Sequence, residues 1–354
     1  MLPEIKDLIK PVPIQGEIEV YPLKAYGHFS EAISILQQGK FVLITDKFST
    51  GLQLLSELKN FLRFNNQGSF QQGRDKRNSY RLLSHLILLE VRNHLLVVKK
   101  APDIGWLRIL YADLDEFALS FPELQGLNSS WQWYRNGLKL PVFPHQIFPW
   151  FGCYFPTRFE HLELFQDYLK HYSGQRKTAI DVGAGTGILS FMLENAGFER
   201  MIATDNHPNA LVGLAEEIQR KNSKRIELHF GDLFAGNEEK ADLIVFNPPW
   251  LPAIGKTENL DTAIYFPPDL FDRFFAQSSS RLNAGGKIVI IFSNLIKNLF
   301  PQEPHPVERE IKMNGRFSQL ALFTKEVSAG SSKTRRNLEH RAQEQVELWV
   351  LGVL

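Results

Sequence analysis

Cysteine is nearly absent from this chain. Cys153 stands alone among 354 residues, so neither an internal disulfide nor a multi-cysteine zinc site can form, as suits a reducing cytosol. By itself it reads as a small buried hydrophobe. Long apolar runs are missing too. None approaches the about 18 residues needed to span a bilayer, and the opening MLPEIKDLIKP lacks the basic, apolar and small-residue regions of a secretion signal. A cytoplasmic location without a membrane partner is the expectation. An excess of either charge is the third absence: Lys and Arg number 40 against 39 Asp and Glu. No global field therefore draws the chain onto nucleic acid, and any polyanion would need a local patch. The histidines show no metal-ligand spacing, so no metal is expected.

What is present is a large potential core. Apolar residues make up 44% of the chain and charged ones 22%, the balance of a folded globular protein. The length suits two cores rather than one. We expect an N-terminal substrate-recognition domain over residues 1–130, a hairpin linker over 131–150, and a catalytic domain over 151–354. In the first part, Phe41 to Thr45 reads as a strand, and Leu52 to Leu62 and Trp106 to Leu119 read as helices, which implies a smaller α/β or helical domain. Between them lies a polar segment, Phe64 to Arg81, in which Arg74, Lys76, Arg77 and Arg81 cluster with Tyr80; this is a solvated surface loop before it is a phosphate grip. WQWYRNGLKLPVF then places two strand-like arms around Asn136-Gly137, a pair suited to a tight turn. Trp131, Trp133 and Tyr134 on those arms are expected to pack against a neighbouring face.

After residue 178 an apolar run, a glycine turn and an amphipathic stretch repeat in order, the pattern of a parallel sheet covered by helices. Strands are predicted near Thr178 to Val182, Arg200 to Thr204, Arg225 to Phe230, Asp242 to Phe246, Lys287 to Phe292, Leu320 to Thr324 and Val346 to Val353. The last two should form an antiparallel hairpin at the sheet edge. The SAGSSKTRRNLEHR segment that joins them carries Lys333, Arg335, Arg336 and Arg341, again a solvated loop before it is a phosphate site.

The chemistry sits at the ends of these strands. AIDVGAGTGILSF puts Gly183, Ala184, Gly185 and Gly187 between a strand holding Asp181 and a helix, where glycines let a ligand lie on bare backbone. Ile188 occupies the sixth position, where a dinucleotide fingerprint requires glycine, so NAD and FAD fit poorly. The next strand ends in Asp205 and Asn206, where a carboxylate can accept both hydroxyls of a ribose or cap the following helix. The third is followed by Gly231, Asp232 and Leu233, by themselves only a turn. The fourth ends in Asn247, Pro248, Pro249 and Trp250. Two prolines stiffen that exit loop and keep its carbonyls out of a ladder. Upstream, GCYFPTRFEHLEL sets Thr157 three residues before Glu160, the spacing of a capping box.

This series resembles the class I S-adenosylmethionine-dependent methyltransferases with an Asn-Pro-Pro-aromatic loop, over about residues 130 to 354. The resemblance implies a Rossmann-like seven-stranded sheet with an antiparallel last strand. It implies that the glycine loop and Asp181 hold the methionine end of the cofactor, Asp205 the ribose, and Asp232 and Leu233 the adenine, with Thr157 closing over it. It also implies that Asn247 and the Pro248 carbonyl accept hydrogen bonds from a target NH2 while Trp250 stacks on its plane. GCYFPTR, NPPW and RLNAGGKIVIIFSN are similar to ribosomal RNA guanine methyltransferases; the hairpin followed by FPTRFEHLEL is similar to release-factor glutamine methyltransferases. The likeness is nearest to a bacterial NPPW methyltransferase family that gives no substrate. A nucleic-acid base, an RNA base above all, is the favoured substrate because Trp250 is wide. A protein glutamine amide, a small-molecule amine and a non-catalytic cofactor-binding protein are the alternatives.

Overall fold

The computed structural model describes residues 2–64, 78–156, 158–253, 263–327 and 344–354. Arg74, Lys76, Arg77, Thr157, Lys333, Arg335, Arg336 and Arg341 lie outside them. Chain contacts divide the protein into two units, Ile9–Asn136 and Gly137–Leu354, the latter together with Met1–Leu8.

The first unit is mixed α/β. Strands β1 (Val20–Leu23), β2 (Phe41–Ile44) and β3 (Ile87–Arg92) run parallel, and β4 (Leu95–Leu96) and β5 (Glu116–Ser120) pair antiparallel with β3. Helices α1 (Phe29–Gln37), α2 (Phe48–Phe64), α3 (Trp106–Leu110) and α4 (Phe121–Asn136) connect and follow them. Two expectations need correction. The helix expected over Trp106 to Leu119 ends at Leu110, and its second half is β5, buried at four of its five residues. A short apolar run carries no reliable period, so pairing with β3 decides its state. The hairpin expected around Asn136-Gly137 does not form either, because residues 131–136 finish α4. The tight hairpin turn that Asn-Gly favours needs positive φ at both residues, and here only Gly137 has it, at +70°, the conformation that ends a helix. Trp131 and Tyr134 do pack. They lie one turn apart on α4 and meet Trp106 at ring separations of 5.4 and 4.7 Å.

The second unit begins with a two-stranded ribbon, β6 (Leu138–Lys139) with β7 (Gln146–Ile147), and α5 (Glu160–Lys170). Its sheet contains β8 (Thr178–Val182), β9 (Arg200–Asp205), β10 (Ile226–Phe230), β11 (Ala241–Phe246), β14 (Leu282–Ser293), β15 (Phe317–Glu326) and β16 (Gln345–Val353). Their order is β10-β9-β8-β11-β14-β16-β15, parallel except for β16, which is antiparallel to both its neighbours. This is the seven-stranded α/β architecture with a reversed last strand that the sequence implies. Strand period two sends alternate residues to opposite faces. Val245, Val289 and Leu348 join the core beneath α5 and α6 (Ile188–Asn195), while Ile244, Ile290 and Trp349 join the one beneath α8 (Leu270–Ser278). β11 is buried at all six residues, as a central strand covered on both faces must be.

Asp242, the second residue of β11, has a buried carboxylate that accepts the Lys177 and Thr178 amides at 2.9 and 3.1 Å and the Asn283 side-chain amide at 2.8 Å. It ties the starts of three adjacent strands, and its hydrogen bonds offset the cost of burying a charge. Chain order reverses between β8 and β11, so their carboxyl ends frame the crevice where ligands of such sheets bind.

Candidate active site

A cavity of about 350 Å³ opens at that crevice, within the size range of cofactor sites. Its wall includes Gly183, Ala184, Gly185, Asp205, Asn206, Asp232, Leu233 and Asn247. Eight of the residues singled out in the sequence, spread over four strand ends, thus meet in one place. Four described ones do not reach the wall: Asp181, Gly187, Pro248 and Trp250.

Glycines of the loop after β8 do different jobs. Gly183 and Gly185 have φ of +68° and +54°, and a Cβ on either would come no nearer than 3.8 Å to any neighbour; their bare backbone faces room that a ligand can fill. Gly187 also has positive φ, at +76°, but its Cβ would stand 2.2 Å from Leu214 Cδ1. It is a packing glycine at the N-terminus of α6, where α7 (Pro208–Lys221) crosses close.

Asp181 is fully buried. Its Oδ2 accepts the Ser190 hydroxyl at 2.6 Å, while Oδ1 has no partner among the described residues. Burial pushes its carboxyl up to about 7, and the nearby Asp205 charge adds to the shift. Asp181 does not line the cavity; its bond to Ser190 ties the end of β8 to the first turn of α6 beneath the glycine loop. Asp205 is the carboxylate at the surface of the site. Its Oδ2 accepts the Gly185 amide and its Oδ1 the His207 amide, both at 2.8 Å, leaving further lone pairs for a ligand. Burial raises its pKa against these bonds. It does not cap α7: the cap residue is His207, with Pro208 in the first turn. Asn209 donates instead to the Phe151 carbonyl at 2.9 Å, which holds the 151–156 segment against the site.

Past β10, Leu233 takes φ of +49° and its carbonyl accepts the buried Thr204 hydroxyl. Asp232 pairs through Oδ2 with Arg273 of α8. Past β11, the two prolines pass the chain into a short parallel bridge of β12 (Leu251–Pro252) with β13 (Tyr265–Phe266), which anchors the stiff exit. The Trp250 indole N–H donates to Asn247 Oδ1 at 3.2 Å, and its ring meets His161 edge-on at 5.9 Å. Trp250 is thus engaged within its own loop rather than presented at the cavity wall. Pro248 is buried behind Asn247, and Pro249 lines the cavity in its place.

Sequence reasoning missed several wall residues. Gly152, Cys153, Tyr154 and Pro156 cross above the glycine loop, His161 lines the cavity from α5, and Pro267, Leu270 and Arg273 close the β10 side. Only tertiary contact reveals the last three, since LFDRFF reads as an ordinary amphipathic helix. His161 is held neutral, its pKa depressed by burial to about 4. Burial raises the Cys153 thiol, which keeps it protonated where it lines the cavity, partly buried. The capping box at Thr157 is corrected too, because α5 begins at Glu160 with Phe159 as its cap residue. Among the described residues no three His, Cys, Asp or Glu side chains form a metal-binding group, and no helix is long and apolar enough to cross a membrane.

S-adenosylmethionine fits this donor set. Open backbone at Gly183 and Gly185, a carboxylate at Asp205 and a second carboxylate at Asp232 follow one another along a single cavity.

Comparison with known proteins agrees. Residues 163–299 match the family model described as Methyltransferase small domain. A candidate protein N5-glutamine methyltransferase of Methanocaldococcus jannaschii is 32% identical over 34% of this chain and 64% of its own length. A release factor glutamine methyltransferase of Enterococcus faecalis is 27% identical over 44% and 64% respectively, and a ribosomal protein L11 methyltransferase of Thermosipho africanus is 35% identical over 23% and 30%. The chain thus spans less than two thirds of the length of these relatives. The family match falls wholly within the second unit.

Proposed function

We propose that this chain is an S-adenosylmethionine-dependent N-methyltransferase whose substrate is a planar nitrogen, the side-chain amide of a protein glutamine. One observation carries the reading: the Asn247 acceptor lines the same cavity as the glycine loop and Asp205, so a nitrogen donor and a nucleoside-bearing methyl donor would meet there. When bound, S-adenosylmethionine supplies a methyl group on a sulfonium leaving group. Gly183 and Gly185 admit the amino-acid part against the backbone, and Asp205 accepts from the ribose hydroxyls. Asn247 Oδ1, which keeps a second lone pair beside the one that takes the Trp250 indole N–H, accepts from a target N–H and holds the nitrogen lone pair toward the methyl carbon. An amide lone pair is delocalised, and fixed acceptors on its hydrogens localise it on nitrogen without reorganising as charge develops.

The choice of a protein amide over an RNA base rests on two points. The relatives named above are named for a glutamine or a ribosomal protein, and Trp250, which the base reading needs as an open platform, is bonded to Asn247 and packed on His161. The first unit would select the substrate.

Radiolabelled S-adenosylmethionine, the purified protein and a lysate of cells lacking the gene provide the test. Label removed by protease and untouched by ribonuclease supports the amide. Label in RNA overturns that substrate and reinstates the base. Asn247→Ala should keep binding S-adenosylhomocysteine and transfer no label; retained transfer would remove Asn247 from the chemistry.

A further inference from the structure

The β10 side of the cavity ends in an ion-paired cluster on two separate elements. Gly231, Asp232 and Leu233 follow β10, and their backbone is fixed: the Gly231 amide donates to the Asp205 carbonyl at 3.0 Å, and the Ala235 amide to the Asp232 carbonyl at 2.9 Å. Opposite stands α8, whose Phe271, Phe274 and Phe275 are buried in the core, a rigid base for a side chain. From it Arg273 reaches across with Nη1 on Asp232 Oδ2 and Nε on Asp269 Oδ2 at 2.7 Å. Both ends of the guanidinium are therefore held. Asp232 is about half exposed, and without Arg273 its carboxylate would have rotational freedom and water for company. With it, one oxygen is committed, and Oδ1 accepts nothing else among the described residues.

We infer that Arg273 is a positioning residue for the nucleobase: by pinning Asp232 Oδ2 it presents Oδ1 to the exocyclic amine of a 6-aminopurine and makes the cavity select adenosyl over inosyl ligands. The inference rests on the cofactor reading above. Its logic is geometric. A nucleoside whose ribose meets Asp205, at the end of β9, extends its base over the next strand end, and that strand is β10. There a pinned carboxylate rewards an N–H donor and repels the carbonyl oxygen of a 6-oxopurine, as an oriented acceptor left facing an acceptor costs affinity. Orientation is what the fixed guanidinium supplies, since its planar fork loses little further freedom on pairing.

The experiment is calorimetric titration of the full chain with S-adenosylhomocysteine and with S-inosylhomocysteine, its 6-oxo counterpart. The wild type should prefer the adenosyl ligand by about tenfold or more, the worth of one hydrogen bond to a charged group. Arg273→Gln should lower that preference several-fold, and Arg273→Lys, which keeps the charge on a single point, should recover part of it. Asp269→Ala, at an exposed position, frees the other end of the guanidinium and should give a smaller fall in the same direction; it decides the matter if Arg273→Gln folds poorly. An unchanged preference ratio in the folded variants overturns the inference, even where both affinities fall together, because a merely structural arginine would weaken both ligands alike. A wild type that binds neither ligand overturns the cofactor reading instead, and this inference with it.

Discussion

Two glycines in one loop allow structure and function to be separated by a single methyl group. At Gly187, alanine would place its Cβ 2.2 Å from Leu214 Cδ1 and 3.2 Å from Cδ2, with Leu214 fully buried and φ at +76°. A left-handed non-glycine residue costs about 1–2 kcal/mol, and forcing a methyl group into a packed core costs about 1–3 kcal/mol. Gly187→Ala should therefore destabilise the second unit by about 2–5 kcal/mol, since the two costs arise from different atoms. Gly185 has φ of +54° but meets only the Tyr154 carbonyl oxygen, at 4.0 Å. Gly185→Ala should lose about 1–2 kcal/mol from the backbone alone, yet weaken S-adenosylhomocysteine by about tenfold or more, because its methyl group occupies the cavity. Urea unfolding followed by circular dichroism reads the first quantity and calorimetric titration the second. The reasoning fails if Gly185→Ala is as destabilised as Gly187→Ala, or if it binds the ligand like the wild type.

Other outcomes follow from buried groups. Asp181 has its pKa raised to about 7, so the folded state holds a proton that the unfolded chain releases near 4. Its contribution to stability is present at low pH and is lost as pH rises through that interval. Unfolding midpoints from pH 4 to 8 should show a decline in the wild type that is flattened in Asp181→Asn; parallel profiles would rule out a titrating Asp181. Asp242→Ala strands two backbone amides and the Asn283 side chain, and should cost roughly 2–4 kcal/mol in urea unfolding. A full loss of S-adenosylhomocysteine affinity in the folded variant would contradict its purely structural assignment.

The second unit was legible in the sequence because strands covered on both faces must be apolar throughout. DLIVF could only be a central strand, and the glycine and proline turns mark where each strand stops. β14 starts five residues before Lys287 because Leu282 already pairs with Ala241, with a register shift before the Leu243–Lys287 pair, which no apolar period announces. Asn136-Gly137 was ambiguous for a physical reason, since a helix end and a hairpin turn both use glycine at positive φ. The site was legible wherever backbone freedom or a strand end dictates residue type, as at Gly185, Asp205 and Asn247. It was not legible where a side chain's partner decides its direction. Asp181 turns inward to Ser190, Trp250 turns back to Asn247, and Arg273 arrives from a helix whose sequence speaks only of packing.

The place of β16 has a consequence for how the chain acquires its shape. It lies between β14 and β15, so β15 has no sheet to join until residues 345–353 arrive to bridge it. Until then β14 presents an open ladder along Ile288 to Ser293, a stretch wholly buried in the finished protein and an invitation to pair with another chain. A nascent protein made from its N-terminus thus holds this adhesive surface uncovered until residues 345–353 have emerged. A version stopped short of residue 345 would lose two strands rather than one.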